Sequence, residues 1–293
     1  MMPDGKAICE IVCIFVSMMK NRFFLAAAMA AICLLQACCG SDTLTVMSYN
    51  VRNSASAAKD GDNAWELRKS ATPAMLKALK PDVFGVQEAL PEQIDYILET
   101  CPKYKCYGIG RNDGVEGERM SIFYNTRRLE ILDFGTWWLS ETPDVPSTGW
   151  DAKYPRTATW ALLKDLKRGG EFYFVNTHLD HKGVQARRNG LALVVNKTKE
   201  MNPDIPLILV GDFNVEPDDS CLVDIDRLML SARKVAKQSD DTPSFNGWVG
   251  PQKTIDYIYF NGFESAESFR VVTESYDGKP FISDHYPIVA TLK

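Results

Sequence analysis

At four points in this chain an apolar strand runs into a polar residue, and this pattern limits the fold to packed sheets that present their strand ends as a working surface. Thr43-Leu-Thr-Val-Met-Ser-Tyr-Asn50 and Asp82-Val-Phe-Gly-Val-Gln-Glu88 read as strands, and residues 65–80 between them carry apolar side chains at helical spacing. The order recurs in Glu171-Phe-Tyr-Phe-Val-Asn-Thr-His178, a helical stretch at 184–201, and the buried strand Ile205-Pro-Leu-Ile-Leu-Val-Gly-Asp212. Further strands at 120–124, 158–163, 254–260 and 287–292 predict two sheets packed face to face with helices outside. Residues 137–155, rich in Pro, Trp, Ser and Asp, predict a long ordered loop over one end of the sheets.

Size and charge set the class of partner. A chain of 293 residues, 45% hydrophobic and 24% charged, has the composition of a soluble enzyme-sized domain. Its net charge of −5 supplies no global attraction for a polyanion. A phosphate ester of modest size is therefore favoured over long nucleic acid, with DNA or RNA as the second choice. A monomer is expected.

The N-terminus reads as an address. Lys20-Asn-Arg22 precedes an apolar run at 23–35 that is short for a membrane span of about 20 residues. Leu35-Gln-Ala-Cys38 resembles the lipobox of bacterial lipoproteins. The expected organisation is an extension and signal segment at 1–39, a tether at 40–43 and a catalytic domain at 44–293, exported and either held at a membrane through a lipid on Cys38, periplasmic or at the cell surface, or secreted. Five of the eight cysteines fall in the first forty residues, so Cys101, Cys106 and Cys221 form no disulfide framework. Cys101 and Cys106 either close a small loop or remain free thiols.

The polar residues at strand ends are the candidates for chemistry. Asn50, Glu88, His178 and Asp212 each terminate a strand, and Asp284-His285 immediately precedes one. All three histidines, His178, His181 and His285, lie in His178-Leu-Asp180-His181 or Asp284-His285, beside an aspartate. The spacing lacks the helical HExxH pattern and any cysteine cluster, which disfavours zinc; the oxygen donors Asn50, Glu88 and Asp284 suit Mg²⁺ or Mn²⁺.

Ser48-Tyr-Asn50, Gln87-Glu88, Asn176-Thr-His-Leu-Asp180, Gly211-Asp-Phe-Asn214, Ile255-Asp256-Tyr and Ser283-Asp-His-Tyr-Pro287 stand in an order that resembles the endonuclease/exonuclease/phosphatase superfamily. The resemblance covers residues 44–293. It implies an α+β fold, a four-layer αββα sandwich of the DNase I-like kind. It also implies a divalent-metal-dependent phosphoesterase that hydrolyses a phosphomonoester or phosphodiester by in-line attack of water, with an endonuclease or exonuclease as the alternative and a non-catalytic surface lipoprotein as a third reading.

Roles follow motif by motif as the resemblance implies them. Asn50, Glu88 and Asp284 would hold the metal. Asp256 would orient His285, which contacts phosphate and assists water activation; Asp212 would position or deprotonate the water. Asn214 would hold a phosphate oxygen, and His178 would bind phosphate or assist the leaving group. Which of Asp212 and the Asp256–His285 pair is the base stays open. Arg68, Arg119, Arg156 and Arg187 are candidate phosphate clamps, each with a loop-anchoring alternative. Arg119 and Arg156 are favoured among them, and with His181 they make up the expected substrate-binding set. Trp137, Trp138, Trp150 and Tyr154 either stack on a substrate or pin the long loop, and Asp60-Gly-Asp62 reads as a turn within reach of the cleft.

Overall fold

The computed structural model describes residues 43–293. The proposed signal segment and lipobox at 1–39, and the tether up to residue 42, lie outside the described residues. Two mixed sheets form the body. One contains β1 (Leu44–Asn50), β2 (Val83–Gln87), β3 (Tyr104–Tyr107), β4 (Ile122–Asn125), β10 (Gln238–Ser239), β12 (Ala266–Val271) and β13 (Ile288–Leu292), in the order β10-β12-β13-β1-β2-β4-β3. The other contains β5 (Leu129–Trp138), β6 (Thr157–Asp165), β7 (Glu171–His178), β8 (Leu207–Asp212), β9 (Leu230–Ser231) and β11 (Asp256–Asn261), in the order β5-β6-β7-β8-β11-β9.

Central strands buried on both faces explain the continuous apolar runs. In β1, Val46 joins the core between the sheets, together with Val83, Phe174, Ile208 and Val210. Its neighbour Met47 points the other way, into a layer with Phe84, Val86 and the helical residues Met75, Leu76, Ile94 and Ile97. On the far side, Val175, Leu209 and Tyr259 pack against Leu191, Val194 and Val195 of the helix Val184–Glu200. These three apolar layers between four layers of structure are the αββα sandwich that the resemblance implies.

Local chemistry corrects several sequence expectations. The single helix at 65–80 is two: a short turn at Trp65–Arg68 and a helix at Ala71–Leu79. Pro73 has no backbone N–H and fits only within the first turn of a helix, so the helix must restart before it. The helix at Pro91–Thr100 was not read from the sequence; Pro91 opens it, and Gln93 Oε1 accepts from Leu90 N at 3.1 Å. The loop expected at 137–155 begins later, because Trp137 and Trp138 end β5, paired with Ala158 and Thr157. A register shift between Ile131 and Asp133 disrupts the alternation that would have marked this strand. Cys101 and Cys106 are free thiols.

The two sheets are tied by buried amides. Asn176 on β7 donates to Val86 O at 2.8 Å and Ser121 O at 3.0 Å, and accepts from Gln87 Nε2 at 2.7 Å. Gly85 faces this amide so closely that a Cβ there would lie 2.6 Å from Asn176 Cγ and 2.8 Å from Val210 Cγ2. Gly85→Ala is expected to lower stability by about 1–3 kcal/mol through overpacking, read by urea unfolding. A variant as stable as the parent would mean that the sheets separate freely at this point.

Candidate active site

Register places three of the candidates in one row. β7 and β8 run parallel with His178 opposite Asp212, and β8 and β11 run antiparallel with Asp212 opposite Asp256. Across the interior, β1 and β2 end together with Asn50 opposite Gln87, which brings Glu88 to the same edge. Glu88 and Asn214 leave their strands with φ of 64° and 54°, a left-handed conformation that is uncommon for non-glycine residues and collects at functional sites. His285 enters from the approach to β13, with Phe245 packed edge-on against its ring at 5.1 Å.

Asp212 is the hub of this arrangement. Its Oδ2 accepts from Asn50 Nδ2 at 3.0 Å and stands 3.5 Å from His178 Nε2 and 3.7 Å from His285 Nε2. Its Oδ1 accepts from Asn214 N at 2.9 Å. Burial, reinforced by Asp256 and opposed by His285, pushes the Asp212 carboxyl up to about 7. The two histidines are driven apart. Burial lowers His285, but Asp256 and Asp212 more than reverse this and raise it to about 10, with Nδ1 2.8 Å from Asp256 Oδ2. His178 lies well below its ordinary value, first through burial and then through Arg156 and Arg111. At neutral pH His285 is an imidazolium and His178 a neutral ring.

Asn214 Nδ2 is 3.1 Å from both Leu179 O and His178 Nε2, so Nε2 accepts and the proton of the neutral His178 ring resides on Nδ1. Asp212, Asp256 and His285 have ligand atoms within 4.8 Å of one another. The Asp256–His285 hydrogen bond already occupies the facing atoms of that trio, which makes it a proton-holding set before it is a metal site.

The opposite side of the cleft is acidic. Glu88 Oε1 accepts from Asn50 Nδ2 at 3.1 Å, and Oε2 accepts from Asn53 Nδ2 at 2.9 Å. Burial pushes Glu88 up, yet Arg52, His285 and these hydrogen bonds leave it below its ordinary value. Asp284 is raised by burial and by Glu88, with His285 and Arg52 opposing. Arg52 donates to buried Asp60 at 2.9 Å and stands 3.6 Å from Asp284 and 3.9 Å from Glu88. One guanidinium thus faces three carboxylates.

The other flank is basic. Arg156 donates through Nε to Asp180 at 3.2 Å and through Nη2 to His181 Nδ1 at 2.9 Å. Arg111 pairs with Glu118 and lies 5.3 Å from the centre of the Tyr154 ring. Arg119 does not line the cleft; its guanidinium donates to Val115 O at 3.2 Å. Arg68 is a buried brace between Trp65 and Trp248 that donates to Asn63 O, Arg52 O and Ile282 O. Arg187 donates to Asp180 O at 3.0 Å, outside the cleft lining. Of the sequence-derived aromatics, Tyr154 alone lines the cleft, while Trp138 is buried with Nε1 on Arg111 O at 2.7 Å.

The structure therefore brings His178, Asp212, Asn214, Glu88, Asp284, His285, Arg156 and His181 around one cleft of about 770 Å³, with Asn50 and Asp256 buried directly behind it. Arg52, Asn53, Arg111, Glu118 and Trp248 also line it and were missed from the sequence. Arg52 lies two residues beyond Asn50, the end of β1, and only that nearness to a strand end signalled it. Arg111, just before the turn Asn112-Asp113-Gly114, carried only a loop signal.

A model of the Endonuclease/Exonuclease/phosphatase family matches residues 47–285. The chain belongs to this family. Among curated relatives, an Acanthamoeba polyphaga mimivirus protein is 30% identical over 245 residues, covering 77% of this chain and 91% of its own length. Drosophila melanogaster nocturnin is 28% identical over 67% of this chain, but that span is 36% of nocturnin. Among solved structures, Bacteroides thetaiotaomicron mannosyl-6-phosphatase Bt3783 superposes with TM-score 0.80 at 33% identity, covering 85% of this chain and 99% of that one. A Bacteroides vulgatus family member gives TM-score 0.81 at 32% identity, covering 86% of this chain and 99% of that one. As a member of the endonuclease/exonuclease/phosphatase family, the chain is a hydrolase of phosphate esters.

A divalent metal, which the family resemblance implies, fits the acidic side. Glu88 and Asp284 line the cleft with carboxylate oxygens of the kind hard cations prefer, Asp60 stands beside them on Arg52, and the Asn50 amide lies directly behind Glu88.

Proposed function

We propose that this member of the family hydrolyses a phosphate ester of modest size with Mg²⁺ or Mn²⁺. The observation that supports the reading is the single row His178–Asp212–Asp256, facing Glu88 and Asn50, with His285 locked onto Asp256 at 2.8 Å. Glu88, Asn50 and Asp284 hold the ion, which supplies charge neutralisation for phosphoryl oxygens when bound. His285, charged at neutral pH, donates toward the phosphoryl group. Asp212, near 7, is the group able to take a proton from water, so the pair left open by sequence divides its roles: Asp212 as base, His285 as cation. Asn214 fixes the His178 ring and the Asp212 carboxylate in place.

A modest substrate is favoured by the net charge of −5 and by likeness to the mannosyl-6-phosphatase. A panel assay with Mg²⁺ or Mn²⁺ tests it, comparing hexose, inositol, nucleotide and lipid-headgroup phosphates with single-stranded DNA. Turnover of small esters is expected. Efficient DNA cleavage that disappears in His285→Ala would instead establish a nuclease.

A further inference from the structure

Two cations of the basic flank have hydrogen-bonding capacity that nothing in the protein uses. Arg111 Nε and Arg156 Nη1 are buried and bond to nothing, and the same holds for His178 Nδ1, the protonated nitrogen of that ring. All three residues line the one cleft. Each guanidinium of this flank thus keeps N–H capacity that no protein acceptor takes, so the flank suits a ligand made of acceptors.

The remaining atoms of the two arginines are pinned. Glu118 holds Arg111 from one side and Tyr154 lies across it; Asp180 and His181 hold Arg156, and Tyr154 stacks on His181 at 6.2 Å. These contacts orient the two forks before any ligand arrives, which lowers the entropy lost on binding.

Resting on the phosphoesterase reading above, we propose that Arg111 and Arg156 together receive the free oxygens of a terminal phosphoryl group, which makes this enzyme selective for phosphomonoesters over phosphodiesters, with Arg111 as the specificity-determining residue. A monoester dianion offers three non-bridging oxygens and two charges to this wall. A diester offers two oxygens and one charge, and leaves one more of the donors without an acceptor.

The test compares kcat/KM for p-nitrophenyl phosphate and bis(p-nitrophenyl) phosphate across the parent, Arg111→Met and Arg111→Lys. The parent is expected to prefer the monoester. Arg111→Met should lower monoester kcat/KM by about 10- to 100-fold, the size of one lost charge-assisted hydrogen bond, and change the diester by less than about 3-fold. Arg111→Lys restores the charge without the fork and should recover part of the loss. Melting curves check that each variant is folded. A parent that prefers the diester, or an Arg111→Met variant that loses both activities equally, overturns the inference and leaves the phosphoesterase reading standing. Absence of turnover on every ester overturns that reading instead. Calorimetric titration with inorganic phosphate then still decides the inference, because equal affinity in the parent and Arg111→Met rejects it.

Discussion

Replacing His285 with alanine is expected to lower kcat by about 10²–10⁴-fold, the usual range for a positioned proton-handling group, with little change in KM. His285 is held by Asp256 at 2.8 Å and kept charged up to about pH 10, so its loss removes a cation from the centre of the cleft and leaves Asp256 and Asp212 as buried carboxylates without it. Parent kcat/KM should rise with pH through about 7, because Asp212 accepts a proton only when ionised. Stability follows the same linkage. A pKa raised from 6.5 to about 10 means that the His285 contribution is fully present below about 6.5 and fades as pH climbs through 10. The unfolding gap between parent and His285→Ala, read by urea titration, should therefore shrink between neutral pH and pH 10. A variant that keeps most of the parental kcat at pH 7 would remove His285 from the mechanism.

Glu88→Gln should weaken the apparent affinity for Mg²⁺ or Mn²⁺ by about 10- to 100-fold or more, with activity falling in parallel, since even indirect supporters of a metal site have effects of this size. The substitution preserves shape. One of Asn50 and Asn53 keeps an oxygen to bond while the other faces the new amide N–H, and Arg52 keeps Asp60 and Asp284. What is lost is one of three carboxylates around a single guanidinium. Calorimetric metal titration and the metal dependence of the rate, measured side by side, separate a ligand from a bystander: unchanged activity at limiting metal would sink the assignment.

Arg156 and Arg119 are the two clamps the sequence favours, yet Arg156 lines the cleft and Arg119 turns its guanidinium back to Val115. The difference arises because Arg156 has Asp180 and His181 beside it, partners from a different strand end, and such pairings depend on which strands neighbour each other. Asn176 makes the same point in reverse. Its place in Asn176-Thr-His-Leu-Asp180 suggested chemistry nearby, and its own side chain turned out to join the two sheets.

The strand-end residues Asn50, Glu88, His178 and Asp212 were readable because apolar strands buried on both faces must release their polar side chains at the edge, and because six motifs stood in order. The sequence by itself thus determined the layered architecture, the family and the strand-end candidates that meet at the cleft. Tertiary structure alone decided how they meet. The parallel register of His178 with Asp212 and the antiparallel register of Asp256 with Asp212 put two carboxylates and two imidazoles within one buried cluster. Burial and mutual charge there drive one histidine up, the other down, and the aspartate between them to about 7. Proton affinities depend on distance and desolvation, and neither exists until the sheets have packed.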